Sequence, residues 1–121
     1  MKGEKSFVAA LRALANDPAA RGLTDDAAVL EFGGETLVIT HDMMVEGVHF
    51  LPDQDPADVA WKLVACNLSD LAAKGAEPMG VFLGHMLGPN DERFVLGLKQ
   101  VLLEYSVPLL GGDTVSGQAP R

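Results

Sequence analysis

Five aspartates at four places in the chain, with Asp25 and Asp26 adjacent, stand apart from the other acidic residues by their context. Asp25 and Asp26 directly precede AAVLEF, and Asp42 follows ETLVIT after Thr40 and His41. Asp70 lies in NLSD, and Asp113 closes GGD. Each has an ordinary explanation, because Asp beside a strand or in a Gly-rich turn is common local chemistry. Asp70 is the more pointed case. At about 100° per residue it faces nearly away from the apolar stripe formed by Trp61, Val64, Ala65, Leu68, Leu71 and Ala72. That back face is itself apolar, with Leu63, Cys66 and Ala73, so an acid there needs a partner. A metal ion is one such partner, and Asn67, three residues earlier, stands on the same side to orient the carboxylate. If Asp26, Asp42, Asp70 and Asp113 converge, only cations offset their mutual repulsion. Hard divalent ions with oxygen ligands, chiefly Mg²⁺, suit that set. Mg²⁺ held by a few carboxylates completes its shell with phosphate oxygens, which points to phosphoryl transfer or nucleotide binding. Gly111-Gly112 would let the backbone approach a phosphate closely. The chain carries no GxxxxGK[ST], no GxGxxG and no kinase-type catalytic loop, so the familiar nucleotide folds are not indicated.

The histidines divide by setting. His85 interrupts the apolar run MGVFLGHML and reads as a satisfied core or interface residue. His41 is open to either reading. His49, in VEGVHF with Glu46 and Gly47, is a candidate to contact an anionic substrate; the plainer alternative is a surface loop histidine. Cys66 reads as a small packing residue, and Met43 and Met44 as loop or interface packing.

The elements that must hold these residues follow from periodicity. Phe7, Leu11 and Leu14 recur at helical spacing, and Asn16-Asp17-Pro18 stops that helix. AAVLEF and ETLVIT flank Gly33-Gly34 as a β-hairpin. Asp55-Pro56-Ala57-Asp58 starts a helix that runs to Lys74 and stops at Gly75. MGVFLGHML predicts a buried strand. Pro89-Asn90 open a third helix with a core face of Phe94, Leu98, Val101, Leu102 and Tyr105. Pro108-Leu109-Leu110 is a short strand leading into Gly111-Gly112-Asp113. The expected fold is α/β: a two-layer sandwich with a mixed β-sheet and helices on one face. The other sheet face then requires a cover, which predicts dimerisation through the sheet.

Composition sets the outer bounds. The 121 residues carry nine Lys and Arg against seventeen Asp and Glu, a formal net charge of -8, with 48% hydrophobic residues. A real core is expected, and nucleic-acid binding through the bulk field is not. The lone Cys66 excludes an internal disulfide framework and suits a reducing compartment. MKGEKSFVAALRALANDP lacks the apolar centre of a secretory leader, and no membrane span is expected. The expectation is one cytoplasmic domain over residues 1–121.

Taken together, TDDAAVL at 24–30, THDMMVEGVHFLPDQDP at 40–56, NLSDLAAKGAEP at 67–78 and LLGGDTVSG at 109–117 resemble the N-terminal domain of the thiamine-monophosphate kinase family. NLSDLAAKGAEP alone is similar to a wider superfamily that includes aminoimidazole ribonucleotide synthetase and selenophosphate synthetase; VEGVHF narrows the resemblance. It implies ATP-dependent phosphorylation of thiamine monophosphate to thiamine diphosphate by direct in-line transfer, assisted by Mg²⁺. It also implies that Asp26, Asp42, Asp70 and Asp113 are metal ligands, with Thr40 and His41 completing a shell beside Asp42. His49 would contact thiamine monophosphate, and Gly112 with Asp113 would lie against ATP phosphates; no side chain is implied as a covalent catalyst. The family's N-terminal domains pair their sheets into a β-barrel across a homodimer. Two positions depart from the pattern: Thr24 replaces a usual glycine and His41 a usual threonine. The family also has a C-terminal domain that this chain lacks, so the chain alone is expected to be weak or inactive. The alternatives are another ATP-dependent synthetase of the superfamily, or a non-catalytic dimerisation or metal-binding module.

Overall fold

A computed structural model describes residues 3–24, 27–44 and 51–117. The elements run α1 (Gly3–Arg12), a 3₁₀ turn (Pro18–Leu23), β1 (Ala27–Phe32), β2 (Glu35–Thr40), α2 (Pro56–Ala73), β3 (Val81–Leu87), α3 (Asp91–Tyr105) and β4 (Leu109–Ser116). They group into two compact units, Met1–His41 with Ser69–Ala76, and Asp42–Leu68 with Glu77–Arg121.

In the first unit, α1 carries Glu4 in its first turn and Arg12 in its last, the arrangement that suits the helix dipole. It ends at Arg12, so Leu14 of the expected stripe lies beyond it and is exposed. The predicted stop at Asn16-Asp17-Pro18 lies beyond that helix end and instead begins the next element. Asp17 Oδ1 accepts the Ala19 N–H at 2.8 Å and Pro18 opens the 3₁₀ turn. The hairpin pairs Ala27 with Thr40, Val29 with Val38 and Phe32 with Glu35 in antiparallel register. Its two-residue turn needs positive φ twice, and Gly33 (φ 58) and Gly34 (φ 83) supply it. The end of α2 belongs to this unit. Gly75 N–H reaches the Ala72 carbonyl at 2.9 Å and Ala76 N–H the Leu71 carbonyl at 3.0 Å, the glycine-terminated ending the sequence predicts.

The second unit is built on α2 against α3. Asp55 caps α2 by accepting the Ala57 N–H at 3.0 Å, with Pro56 in the first helical position. Val59, Ala60 and Val64 meet Phe94, Leu98 and Val101 in the core, and Leu83 of β3 packs on that cluster. The buried stripe of α2 is therefore shifted toward its N-terminus, while Ala72 is exposed. The reason is close helix contact: a Cβ on Gly97 would run into the Ala57 backbone, so α3 seats against the first turn of α2. Leu102 is half-buried, whereas Tyr105 is exposed and meets Trp61 edge-on, with centroids 6.3 Å apart.

The strands depart from expectation in three ways. The described residues form two two-stranded sheets, β1-β2 antiparallel and β3-β4 parallel, in place of one mixed sheet. Periodicity marks which segments extend, but it does not name their partners; here a tight turn joins one pair and α3 crosses over to join the other. β3 is not buried on both faces. Val81, Leu83 and His85 are half-buried while Phe82 and Met86 are 75% and 61% exposed, so one face of β3 is covered, and β4 is exposed along its whole length. β4 runs on to Ser116, which places Gly111, Gly112 and Asp113 inside the strand and not past its end.

Candidate functional site

In the first unit two of the candidate residues, Thr40 and Asp70, meet at the open end of the hairpin. Thr40 ends β2, and its Oγ1 donates to Asp70 Oδ2 at 3.4 Å, a long contact between two half-buried side chains. The helix carries Asp70 to a half-buried position beside a hydroxyl, while the Asn67 side chain donates from Nδ2 to the Leu63 carbonyl at 2.8 Å. Asp26 lies outside the described residues, but Ala27 beside it is buried and pairs with Thr40. Thr24, ahead of the Asp25-Asp26 pair, sits at φ -90 and ψ -2, a backbone that does not require the glycine usual in the family pattern. His41 is exposed and follows Thr40 outside any strand.

In the second unit, Asp42 is exposed just past β2, and Asp113 is exposed within β4, where it pairs with Gly84. A parallel ladder sets paired residues on one face, so Asp113 shares the uncovered face with Phe82, Met86 and Val115. Gly112 has a structural reason to lack a side chain: a Cβ there would overlap the Leu83 carbonyl oxygen across the ladder. His49 lies outside the described residues. Among the described residues, no three His, Cys, Asp or Glu side chains gather closely enough to hold a metal.

Two charged pairs that sequence reasoning did not single out organise this unit. Arg93 grips Asp55 with Nε at 3.2 Å and Nη2 at 2.6 Å, tying the start of α2 to α3. The Arg93 guanidinium, then the Ala57 N–H, hold the Asp55 carboxyl below its ordinary value, and Asp55 in turn raises Arg93. His85 Nε2 lies 3.0 Å from Asp91 Oδ1, and Asp91 Oδ2 accepts the Gly88 N–H at 3.1 Å. The His85 contact, then the Gly88 N–H, lower the Asp91 pKa. The His85 ring lies on Phe94, centroids 4.4 Å apart, and His85 is half-buried with its Nε2 paired, which fits the reading of a satisfied core or interface residue. The signal available in advance was Gly88-Pro89-Asn90-Asp91, a helix start with an acid in the first turn.

On this α/β scaffold Asp42 stands just past β2, Asp70 on a half-buried helix face and Asp113 within β4. The family is established by sequence: residues 24–121 match the AIR synthase related protein, N-terminal domain, and the chain belongs to that family. Among curated relatives, the chain is similar to the thiamine-monophosphate kinase of Caulobacter vibrioides, 50% identical over 110 residues, covering 86% of this chain and 31% of the relative. It is likewise similar to that of Escherichia coli K12, 45% identical over 101 residues, covering 79% of this chain and 31% of the relative. The solved structure of AaThiL complexed with AMPPCP and TMP superposes with a TM-score of 0.84 at 28% identity, over 96% of this chain and 38% of that one. Another, tt0281 from Thermus thermophilus, gives 0.74 at 32% identity, over 95% and 40%. The chain spans about a third of the length of the curated relatives it matches.

Proposed function

We propose that this chain is the ATP- and Mg²⁺-binding N-terminal part of a thiamine-monophosphate kinase, which transfers the γ-phosphoryl group of ATP directly to thiamine monophosphate. The observation that carries the reading is the match over nearly the whole chain to AaThiL complexed with AMPPCP, an ATP analogue, and TMP. The relatives named thiamine-monophosphate kinase agree with it.

Mg²⁺ fits the donor set on chemical grounds. Asp26, Asp42, Asp70, Asp113 and the Thr40 hydroxyl offer only oxygen, and His41 has its main-chain carbonyl. Thr40 and Asp70 already lie 3.4 Å apart, half-buried. When bound, Mg²⁺ supplies charge neutralisation between two phosphate groups that otherwise repel. The acceptor is already an anionic phosphate, so no side chain is needed as a strong base or as a covalent nucleophile. What the protein contributes is alignment. Asp113 and Gly112 lie against ATP phosphates, and His49 contacts the thiamine monophosphate anion. Further residues come from the C-terminal portion that the relatives possess. We place the protein in the cytoplasm as a homodimer whose protomers join through their sheets. In support, no helix among the described residues is long and apolar enough to cross a membrane, and the β3-β4 face presents Phe82 and Met86 uncovered.

A substrate panel on the full-length protein carrying this chain tests the reading. ATP consumption with thiamine monophosphate, and not with aminoimidazole ribonucleotide precursors or selenide, is the expected outcome. Turnover with one of the latter alone would reassign the chain to another synthetase of the superfamily. Mg²⁺ binding with no turnover on any substrate would leave a non-catalytic module.

A further inference from the structure

We propose that Arg12 and Thr24 are positioning residues for cation binding: they hold a strained turn that sets the hairpin end where Thr40 meets Asp70. The inference rests on the Mg²⁺ reading above and names residues that reading does not use.

Three consecutive residues, Arg21 (φ 54), Gly22 (φ 65) and Leu23 (φ 54), adopt left-handed backbone conformations. Two of them carry a Cβ, and each such residue costs about 1–2 kcal/mol relative to a right-handed one. A turn of this kind persists only where its surroundings hold it. Two side chains do so here. Arg12, the last residue of α1, donates from Nε to the Gly22 carbonyl at 2.7 Å. Thr24 donates from Oγ1 to the Arg21 carbonyl at 2.7 Å, and its own N–H reaches the same oxygen at 3.3 Å. The turn therefore has its carbonyls fixed from both sides.

The segment after the turn gives the bracing its purpose. Three residues beyond Thr24, Ala27 is buried and opens β1 opposite Thr40. Thr40 in turn donates to Asp70. The strained turn, the first ladder pair and the two oxygen donors thus form one connected line within the first unit. Ordinary helix-to-strand connections do not need two left-handed residues bearing side chains. Groups that orient metal ligands without touching the ion typically change affinity about 10–100-fold when lost.

The test is calorimetric titration of Mg²⁺ into the protein carrying this chain, with no nucleotide and no turnover measured, beside thermal midpoints in metal-free buffer. Thr24→Val removes the hydroxyl at nearly constant shape, Thr24→Ser restores it, and Arg12→Ala removes the second brace. Thr24→Val and Arg12→Ala are each expected to raise the Mg²⁺ dissociation constant about ten-fold. Thr24→Ser should stay within about two-fold of the parent, the rescue that a hydroxyl-specific role requires. If Arg12→Ala fails to fold, the Thr24→Val and Thr24→Ser pair decides alone. Lowered midpoints with unchanged dissociation constants, or equal weakening by Thr24→Val and Thr24→Ser, would overturn the positioning role and leave the Mg²⁺ site standing. A parent that binds no Mg²⁺ would overturn both.

Discussion

Asp91 and Asp55 carry charge for the fold, and they make its pH response calculable. Each carboxyl is held below its ordinary value of 3.8, Asp91 chiefly by His85 and Asp55 chiefly by Arg93. A depressed carboxyl contributes stability that is present above the unfolded pKa and lost as pH falls through the lower folded value. The thermal midpoint should therefore drop as pH is taken below about 4. Asp91→Asn and Asp55→Asn should start lower at neutral pH and fall less steeply over the acid range. A parent and an Asp91→Asn variant with parallel pH profiles would contradict the assignment. Both pairs are partly exposed, so their effect is expected to be modest and to shrink with added salt. Asp70 differs in kind: it is half-buried, and its contact at 3.4 Å is with a hydroxyl and not with a cationic side chain.

At the scale of elements, the two long helices solve the same problem with different residues. α2 ends on Gly75 (φ 67), whereas α3 ends on Ser106 (φ 54), also left-handed. Around Ser106 the same two bonds form, with Ser106 N–H to the Leu103 carbonyl at 3.3 Å and Val107 N–H to the Leu102 carbonyl at 3.0 Å. Ser106→Gly should therefore stabilise the protein by about 1 kcal/mol, read as a rise in denaturant midpoint. No gain would mean that Ser106 makes a compensating contact. Gly97→Ala should do the reverse. Its Cβ would meet the Ala57 backbone, and the forced separation of α2 and α3 should cost about 3 kcal/mol in chemical denaturation. A near-neutral Gly97→Ala would show that the helices pack less closely. These elements were largely legible in advance, because caps and stops are local: Asp55-Pro56, Gly33-Gly34 and Gly75 act on neighbouring backbone. The burial of Ala57 and Gly97 was not legible, since it arises from a contact between two helices far apart in the chain. The exposure of Phe82 was hidden for a related reason, because a continuous apolar run reads alike whether one face or two are covered.

On the scale of the whole molecule, the formal net charge is -8 and one β3-β4 face is uncovered. Phe82, Met86 and Val115 are 75%, 61% and 50% exposed on one strand pair. If sheets join across a homodimer, Phe82→Glu should shift the protein to monomer in sedimentation velocity while far-UV circular dichroism stays unchanged. A parent that is monomeric at high concentration would contradict that association. The candidate residues were legible in the sequence as residue types and spacing, but the contact of Thr40 with Asp70 was not, since the back-face argument asked only for some partner and offered a metal ion. Its supports were not, because the bond from Arg12 to Gly22 and the left-handed backbone at Arg21 and Leu23 leave no mark in composition or periodicity. Nor did length alone reveal that the chain covers only about a third of its relatives. The central claim is that these aspartates serve phosphoryl transfer to thiamine monophosphate, and steady-state turnover of the full-length protein with ATP and Mg²⁺ tests it most directly. Asp70→Asn and Asp113→Asn should each lower kcat/KM by about 100-fold or more while the fold is retained. Near-parental turnover in both variants would contradict the account.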